Sequence, residues 1–116
     1  MNPSKPHQPS KRQWEQALID AYYDHRWRQI LEPLYDKFKR WDAGELHHDD
    51  MDQAIHETHK KTQQVYSFFR ESRPMVVAMI QWDQDWFLPW LKDHEPPPGV
   101  ELDPFVRREL DQQEGD

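Results

Sequence analysis

Residues 41–59 have the sequence WDAGELHHDDMDQAIHETH, and this stretch decides how the chain is organised. It contains Gly44, the only glycine before Gly99, and four of the seven histidines. Glycine favours the left-handed conformation that ends a helix. The aspartates within residues 49–52 then favour the start of the next helix, because they interact with its positive end. The stretch therefore predicts a turn between two helices, and it is the one part of the sequence that resembles a site.

The residues before this turn predict one long first helix, with Ser10 as its N-cap. Their apolar side chains follow helical spacing but form two stripes, offset by roughly 130° around the axis. Pro33 lies near the change, and its ring disfavours a regular helix. We expect a kink or a break close to residues 29–33, with the two halves packing on different neighbours. The stripes are Trp14, Ala17, Leu18, Ala21, Tyr22 and His25, followed by Trp27, Ile30, Leu31, Leu34, Phe38 and Trp41.

After the turn, a second helix is predicted from His48 or Asp49 to about residue 70. The third helix has Pro74 in its first turn and ends or kinks at Pro89. Because so few residues separate the second helix from the third, the two are expected to form an antiparallel hairpin. The EPPPG segment at residues 95–99 cannot be helical. Beyond it, a short helix should begin with the sequence DPFVRREL at residues 103–110.

These elements predict an all-α fold: a small helical bundle with a Pro-kinked first helix, a central helix hairpin and a short C-terminal helix. Few valines and isoleucines and many helix-forming side chains support this class. The length of 116 residues fits one domain. We expect a disordered tail over residues 1–10, the bundle over residues 11–94, and a Pro-rich spacer with a short helix and a frayed acidic end over residues 95–116.

Composition excludes several classes of protein. The absence of cysteine excludes disulfides, iron–sulfur clusters and thiolate zinc sites. The first residues lack the apolar core of a signal peptide, and no apolar run approaches the ~20 residues that span a membrane. A soluble, cytoplasmic protein is therefore expected. Residues 1–40 have a net charge of +3 and the rest of the chain −10. This acidity argues against nucleic-acid binding, which requires a basic surface.

The histidines suggest a metal site on the second helix. Asp52, His56 and His59 lie on one side of it, and imidazole with carboxylate suits zinc, or iron and manganese if further carboxylates join. The helical wheel weakens this hypothesis, because His56 lies ~140° from the apolar stripe and should face solvent. The sequence HETH also lacks the spacing of the HExxH zinc motif. We therefore expect no cofactor, with zinc or another divalent metal as the alternative.

The six tryptophans suggest a protein interface. Four short helices cannot cover all of them, although Trp82 is expected in the core, and clustered exposed tryptophans are typical of binding surfaces. The candidate interface residues are Trp14, Trp27, Trp86 and Trp90.

No serine or histidine spacing indicates a nucleophile, and no glycine-rich phosphate loop is present, so no catalytic residue is assigned. We therefore expect a small non-enzymatic helical protein that acts as an interaction or assembly module. A homodimer is the simplest form, with protein as the partner and with neither nucleic acid nor membrane. The alternative is a metal-binding protein that uses Asp52, His56 and His59.

Overall fold

The computed structural model describes residues 8–104, 106–108 and 112. Over these residues the fold is all-α without strands, which confirms the predicted class. The helices are α1 (Lys11–Asp42), α2 (His48–Phe69), α3 (Arg73–Trp82) and α4 (Gln84–Lys92). None of the described helices is long and apolar enough to cross a membrane. Residues 1–7 of the predicted tail and residues 113–116 of the predicted frayed end lie outside the described part.

Ser10 caps α1, as predicted. The Gln13 backbone N–H donates to Ser10 Oγ at 3.1 Å, and the Ser10 N–H donates to Gln13 Oε1 at 2.9 Å. This reciprocal pair is a capping box, which satisfies two N–H groups at the helix start. Pro33 lies inside α1, yet the helix continues to Asp42 without a break. One missing backbone hydrogen bond does not end a helix in which the turns on both sides remain bonded.

The chain divides into two compact units, Met1–Asp20 with Arg73–Asp116, and Ala21–Ser72. Both units include part of α1, but the division lies between residues 20 and 21 rather than near Pro33. Ala21, Tyr22 and His25 of the first stripe therefore belong to the second unit. The division also assigns α2 and α3 to different units. The hairpin of the second unit is formed by α1 and α2, whereas the predicted pairing of the second and third helices would join elements of different units.

The first unit contains the start of α1 together with α3 and α4. Trp14 lies in its core and is only 2% exposed. Its indole Nε1 donates to the His94 carbonyl at 2.8 Å, and its ring meets Trp90 edge-on at 5.6 Å. Arg73 fixes the start of α3 to the first turn of α1, donating to the Arg12 carbonyl at 3.0 Å. The other buried apolar side chains of this unit are Leu18, Val76, Val77, Ile80, Phe87, Leu91 and Val106.

The third helix ends earlier than predicted. Asp83 leaves the helical conformation with a ψ of 73°, and its carbonyl accepts the Phe87 N–H at 2.8 Å as α4 begins. Of the two predicted outcomes at Pro89, an end or a kink, the end is wrong, because Pro89 lies inside α4. The predicted burial of Trp82 is also wrong, since this side chain is 61% exposed. The opposite side of α3 is the buried one.

The segment after α4 is non-helical through the EPPPG sequence, as predicted. Gly99 has a φ of 94°, and the Val100 N–H lies 3.4 Å from the Pro97 carbonyl, an arrangement typical of a type II turn. Pro104 is helical, and the Arg107 N–H donates to the Asp103 carbonyl at 3.0 Å. The predicted start of the C-terminal helix is therefore confirmed. Its residues 105 and 109–111 lie outside the described part.

The second unit is the hairpin of α1 and α2. Gly44 has a φ of 78°, its N–H donates to the Trp41 carbonyl at 3.0 Å, and the Glu45 N–H donates to the Arg40 carbonyl at 2.8 Å. These two bonds form a Schellman motif, so the predicted role of Gly44 is confirmed. His47 takes the N-cap position of α2 without a side-chain hydrogen bond.

Ring contacts show that α1 and α2 run antiparallel. The end of α1 meets the start of α2, where Trp41 Nε1 donates to His48 Nδ1 at 2.8 Å. The ring centroids of Trp27 and Tyr66 are 5.5 Å apart, and farther back along α1 the ring of Tyr23 meets the end of α2. The buried residues of the hairpin are Tyr22, Ile30, Met51, Ala54 and Val65.

Candidate functional site

The predicted metal ligands lie on the exposed side of α2. His56 Nε2 is 3.5 Å from Asp52 Oδ1, and both side chains are more than two-thirds exposed. His59 instead lies 3.4 Å from the Gln63 amide nitrogen. Within the described part of the chain, no three histidine or acidic side chains form a group that could hold a metal ion. Metal binding at these residues stays a prediction. Elemental analysis would support it only if near-stoichiometric metal disappears when His56 and His59 are replaced.

His48 has a structural contact instead. Its Nδ1 accepts the Trp41 indole N–H, and the two rings are 5.9 Å apart. This bond joins the last turn of α1 to the first turn of α2 across the Gly44 turn. An imidazole that accepts at Nδ1 carries its proton on Nε2. Of the four histidines in residues 41–59, His48 therefore stabilises the connection between the helices.

The predicted interface tryptophans have different environments. Trp14 is a core residue, so the prediction that it faces a partner is corrected by its burial. Trp86 and Trp90 are half-buried and stack in the same helix, with ring centroids 6.0 Å apart. The His94 ring continues the stack at 4.1 Å from Trp90. Trp27 is half-buried in the hairpin, and its Nε1 is a buried donor without an acceptor among the described residues.

The largest set of exposed apolar side chains in the second unit lies along one side of the hairpin. On α1 these are Leu31, Tyr35 and Phe38, spaced four and three residues apart. On α2 they are Ile55 and Tyr66, which are three helical turns apart. Tyr35 is 63% exposed and Tyr66 55% exposed. We call these five side chains the hairpin face.

Both helices contribute to the same side of the hairpin. Trp27 lies one turn before Leu31 on α1, and its ring contacts Tyr66 of α2. On the helical wheel of α2, Ile55 and Tyr66 lie about 40–60° to one side of the buried Met51. Because α1 and α2 run antiparallel, the corresponding side of α1 carries Leu31 and Tyr35. The hairpin face is therefore continuous across both helices.

A groove with a volume of about 400 Å³ runs along α1 beside the hairpin face, lined by Trp27, Leu31, Tyr35 and three charged residues. Arg28 lies 3.2 Å from both Asp24 and Glu32. The hydrogen bond to Glu32 and the charge of Asp24 raise the pKa of Arg28. The apolar strip thus has a polar edge whose charges are paired within α1, an arrangement typical of an interface rim.

The sequence did not identify the hairpin face. Ile55 and Tyr66 lie within about 100° of the buried Met51 and Val65 on the helical wheel, and Tyr35 lies outside the two stripes assigned to α1. A signal was present, because the apolar positions of α2 span a wider arc than one partner helix can cover. Only the contact between Trp27 and Tyr66 shows which edge of that arc stays exposed.

No protein-family model, no curated protein and no solved structure matches this chain. Its function is therefore inferred from its own geometry.

Proposed function

We propose that this protein is a non-enzymatic interaction module that self-associates through the hairpin face as a two-fold homodimer. The observation that carries the proposal is the continuous apolar strip of Leu31, Tyr35, Phe38, Ile55 and Tyr66. Monomeric proteins rarely leave large contiguous apolar patches exposed. Two hairpins that pack face to face form a four-helix bundle, in which each helix gains a second apolar neighbour.

The area of the hairpin face is sufficient for such a dimer. A fully covered aromatic side chain buries ~150–250 Å², and these five side chains are about half exposed. They therefore offer roughly 500 Å² per chain, or about 1,000 Å² for two copies before the polar rim is counted. A specific interface requires about 1,000 Å² in total. The hairpin face is thus large enough for a weak to moderate dimer.

The charges of α2 favour an antiparallel arrangement of the two copies. On the helical wheel, Asp52 in its first half and Arg70 at its C-cap both lie about 40–60° from Ile55 and Tyr66, at the edge of the hairpin face. A two-fold axis across the middle of the hairpin would bring Asp52 of one copy beside Arg70 of the other. Complementary charges of this kind fix the relative orientation of two partners more than they add affinity.

The test is the mass of the full chain in solution, measured by light scattering on a sizing column and by sedimentation velocity. We expect twice the chain mass for the wild type. Tyr35→Glu and Tyr66→Glu should each shift the protein to the monomer, because a carboxylate on the hairpin face would be desolvated in the dimer. Gln64→Glu is the matched control, since Gln64 is exposed on the opposite side of α2 and should leave the dimer intact.

Circular dichroism of each variant checks that the helices persist. A wild-type monomer at the highest attainable concentration would refute the dimer. Equal dissociation by Gln64→Glu would show that added charge alone, rather than the hairpin face, controls association.

A further inference from the structure

A second apolar surface lies in the first unit, on α3. The buried side of this helix carries Val76, Val77, Ile80 and Gln81. Its other side is also apolar, and it is exposed or half-buried along its whole length. We call this the α3 stripe, and it consists of Met75, Ala78, Met79 and Trp82. At about 100° per residue these four side chains fall within one 100° arc of the helix. Methionine side chains adapt to varied partner shapes, so they suit a docking surface.

Trp82 is held in its exposed position. Its Nε1 donates to Asp103 Oδ2 at 3.3 Å. The backbone N–H of Asp103 in turn donates to Gln81 Oε1 at 2.6 Å, and Gln81 is the only buried polar side chain of the described residues. The exposed indole is therefore fixed by a partner that is itself fixed to the core. A side chain that is ordered before binding loses little conformational entropy when a partner covers it.

The surroundings of Trp82 are acidic. The last turn of α3 has no basic residue, and the negative end of the helix dipole lies there. Asp83 follows directly, and Asp85 lies in the first turn of α4. Residues 83–108 carry six Asp or Glu against three Lys or Arg, a net charge of −3. A cation is thus favoured beside the indole, where it also gains a cation–π contact.

We propose that the α3 stripe docks a basic amphipathic helix of another protein. Its apolar side chains cover Met75 and Met79, and a lysine or arginine lies over the Trp82 indole. Helix-in-groove recognition uses apolar anchors at the same spacing as the α3 stripe. This surface belongs to the first unit, so the proposal does not depend on the hairpin dimer.

Within the described part of the chain, the exposed apolar face of a second copy does not offer the required cations. Beside its exposed hairpin face, the basic residues are already paired within the chain. Arg28 contacts Asp24 and Glu32, while Lys39 contacts Asp36 at 3.2 Å and lies 4.7 Å from the Tyr35 ring. An anionic membrane surface is disfavoured by the same carboxylates that attract a basic helix. The occupant is therefore a different protein with cations along an apolar helix face.

The test uses a fluorescent synthetic peptide with leucines at helical spacing and lysines on the flanking positions, titrated with the full-length chain. A peptide with glutamates in place of the lysines is its matched control. We expect saturable binding of the lysine peptide and at least about tenfold weaker binding by Trp82→Ala, as for a central aromatic anchor. Asp85→Asn, which removes an exposed carboxylate from the first turn of α4, should weaken binding as well. Tyr35→Glu should leave it unchanged.

Met75→Glu, at the other end of the α3 stripe, gives an independent check if Trp82→Ala loses its helical signal. Equal binding of the glutamate peptide, or insensitivity to both α3 variants, would overturn the proposal. Loss of the wild-type dimer mass in Trp82→Ala would instead make a second copy the occupant. Flotation with anionic vesicles that requires Trp82 would replace the protein helix by a membrane. The basic-helix proposal fails in the last two outcomes as well. The dimer is tested separately by Tyr35→Glu and Tyr66→Glu.

Discussion

Gly44 shows how a single residue determines a helix end, and its replacement has a predictable cost. With a φ of 78° it lies in the left-handed region, and nothing lies within 4 Å of the position that a Cβ would take. Gly44→Ala should therefore destabilise the protein by about 1–2 kcal/mol through the backbone conformation alone. Gly44→Asn should cost less, because asparagine tolerates this region better. Urea unfolding monitored by circular dichroism measures both. Equal stability of Gly44→Ala and wild type would contradict the assigned role.

Trp14 and Trp82 give a second prediction at the residue scale. Trp14 was expected at an interface and is buried, whereas Trp82 was expected in the core and is exposed. Trp14→Phe removes the buried Nε1 donor to the His94 carbonyl and should cost about 1–3 kcal/mol. Trp82→Phe is the same chemical change at an exposed site and should alter stability by no more than ~0.5 kcal/mol. Thermal unfolding of both variants under identical conditions provides the comparison. If Trp82→Phe destabilised the protein more than Trp14→Phe, burial would not explain the difference between the two variants.

The sequence predicted the caps well and the burial of the tryptophans poorly. Ser10, Gly44 and Pro104 act through their own backbone preferences and nearest hydrogen bonds, which are local properties. Burial depends on which distant segments cover a side chain. Trp14 and Trp82 both lie on apolar stripes, and nothing in their spacing shows that the His94 carbonyl reaches the first ring or that α3 turns the second outward.

At the scale of helices, neither Pro33 nor Pro89 ends its helix, whereas the third helix ends just before Asp83. Both Pro33 and Pro89 lie inside continuous helices. The predicted interruption of the third helix shifted to Asp83, whose carbonyl starts α4. Local rules describe the cost of a proline correctly, but tertiary packing of the turns on both sides decides whether the helix continues.

Pro33 therefore lowers the stability of the protein, and a substitution can remove this destabilisation. It is exposed in the middle of α1 and lacks the N–H that a helix interior uses. Pro33→Ala should stabilise the protein by about 2 kcal/mol, since alanine gains ~3 kcal/mol in helix preference and loses ~0.4–1 kcal/mol of it through a more flexible unfolded chain. Denaturant unfolding measures this change. Pro74→Ala is the control, because Pro74 lies in the first turn of α3, where proline is tolerated, and it should not stabilise.

The pairing of helices was the least predictable feature at this scale. A short connection predicted that the second and third helices would pair, yet the hairpin consists of α1 and α2. Residues 43–47 connect these two helices, and the Schellman motif at Gly44 reverses the chain within that span. The interruption before Pro74 is shorter, but it coincides with the division between the two units. Connection length alone does not decide which apolar stripes cover each other.

At the scale of the whole molecule, the two proposed surfaces differ in the charges that surround them. The hairpin face is apolar, and the charges at its rim are paired within α1. The α3 stripe ends in an acidic region. The full chain has a net charge of −7, so two copies repel each other at long range. The repulsion acts against the dimer, whereas the same acidity attracts a basic peptide.

Salt should therefore move the two equilibria in opposite directions. Raising the ionic strength from about 0.01 M to about 0.15 M shortens the Debye length from roughly 30 Å to about 8 Å. Sedimentation velocity should show a tighter dimer at the higher salt concentration, because screening reduces the repulsion while apolar burial is retained. Pairing of exposed charges opposes this trend by only ~0.2–1 kcal/mol for each pair. Fluorescence anisotropy should show weaker peptide binding over the same range. A dimer that dissociates as salt rises would mean that charge pairing, rather than the hairpin face, holds the two copies together.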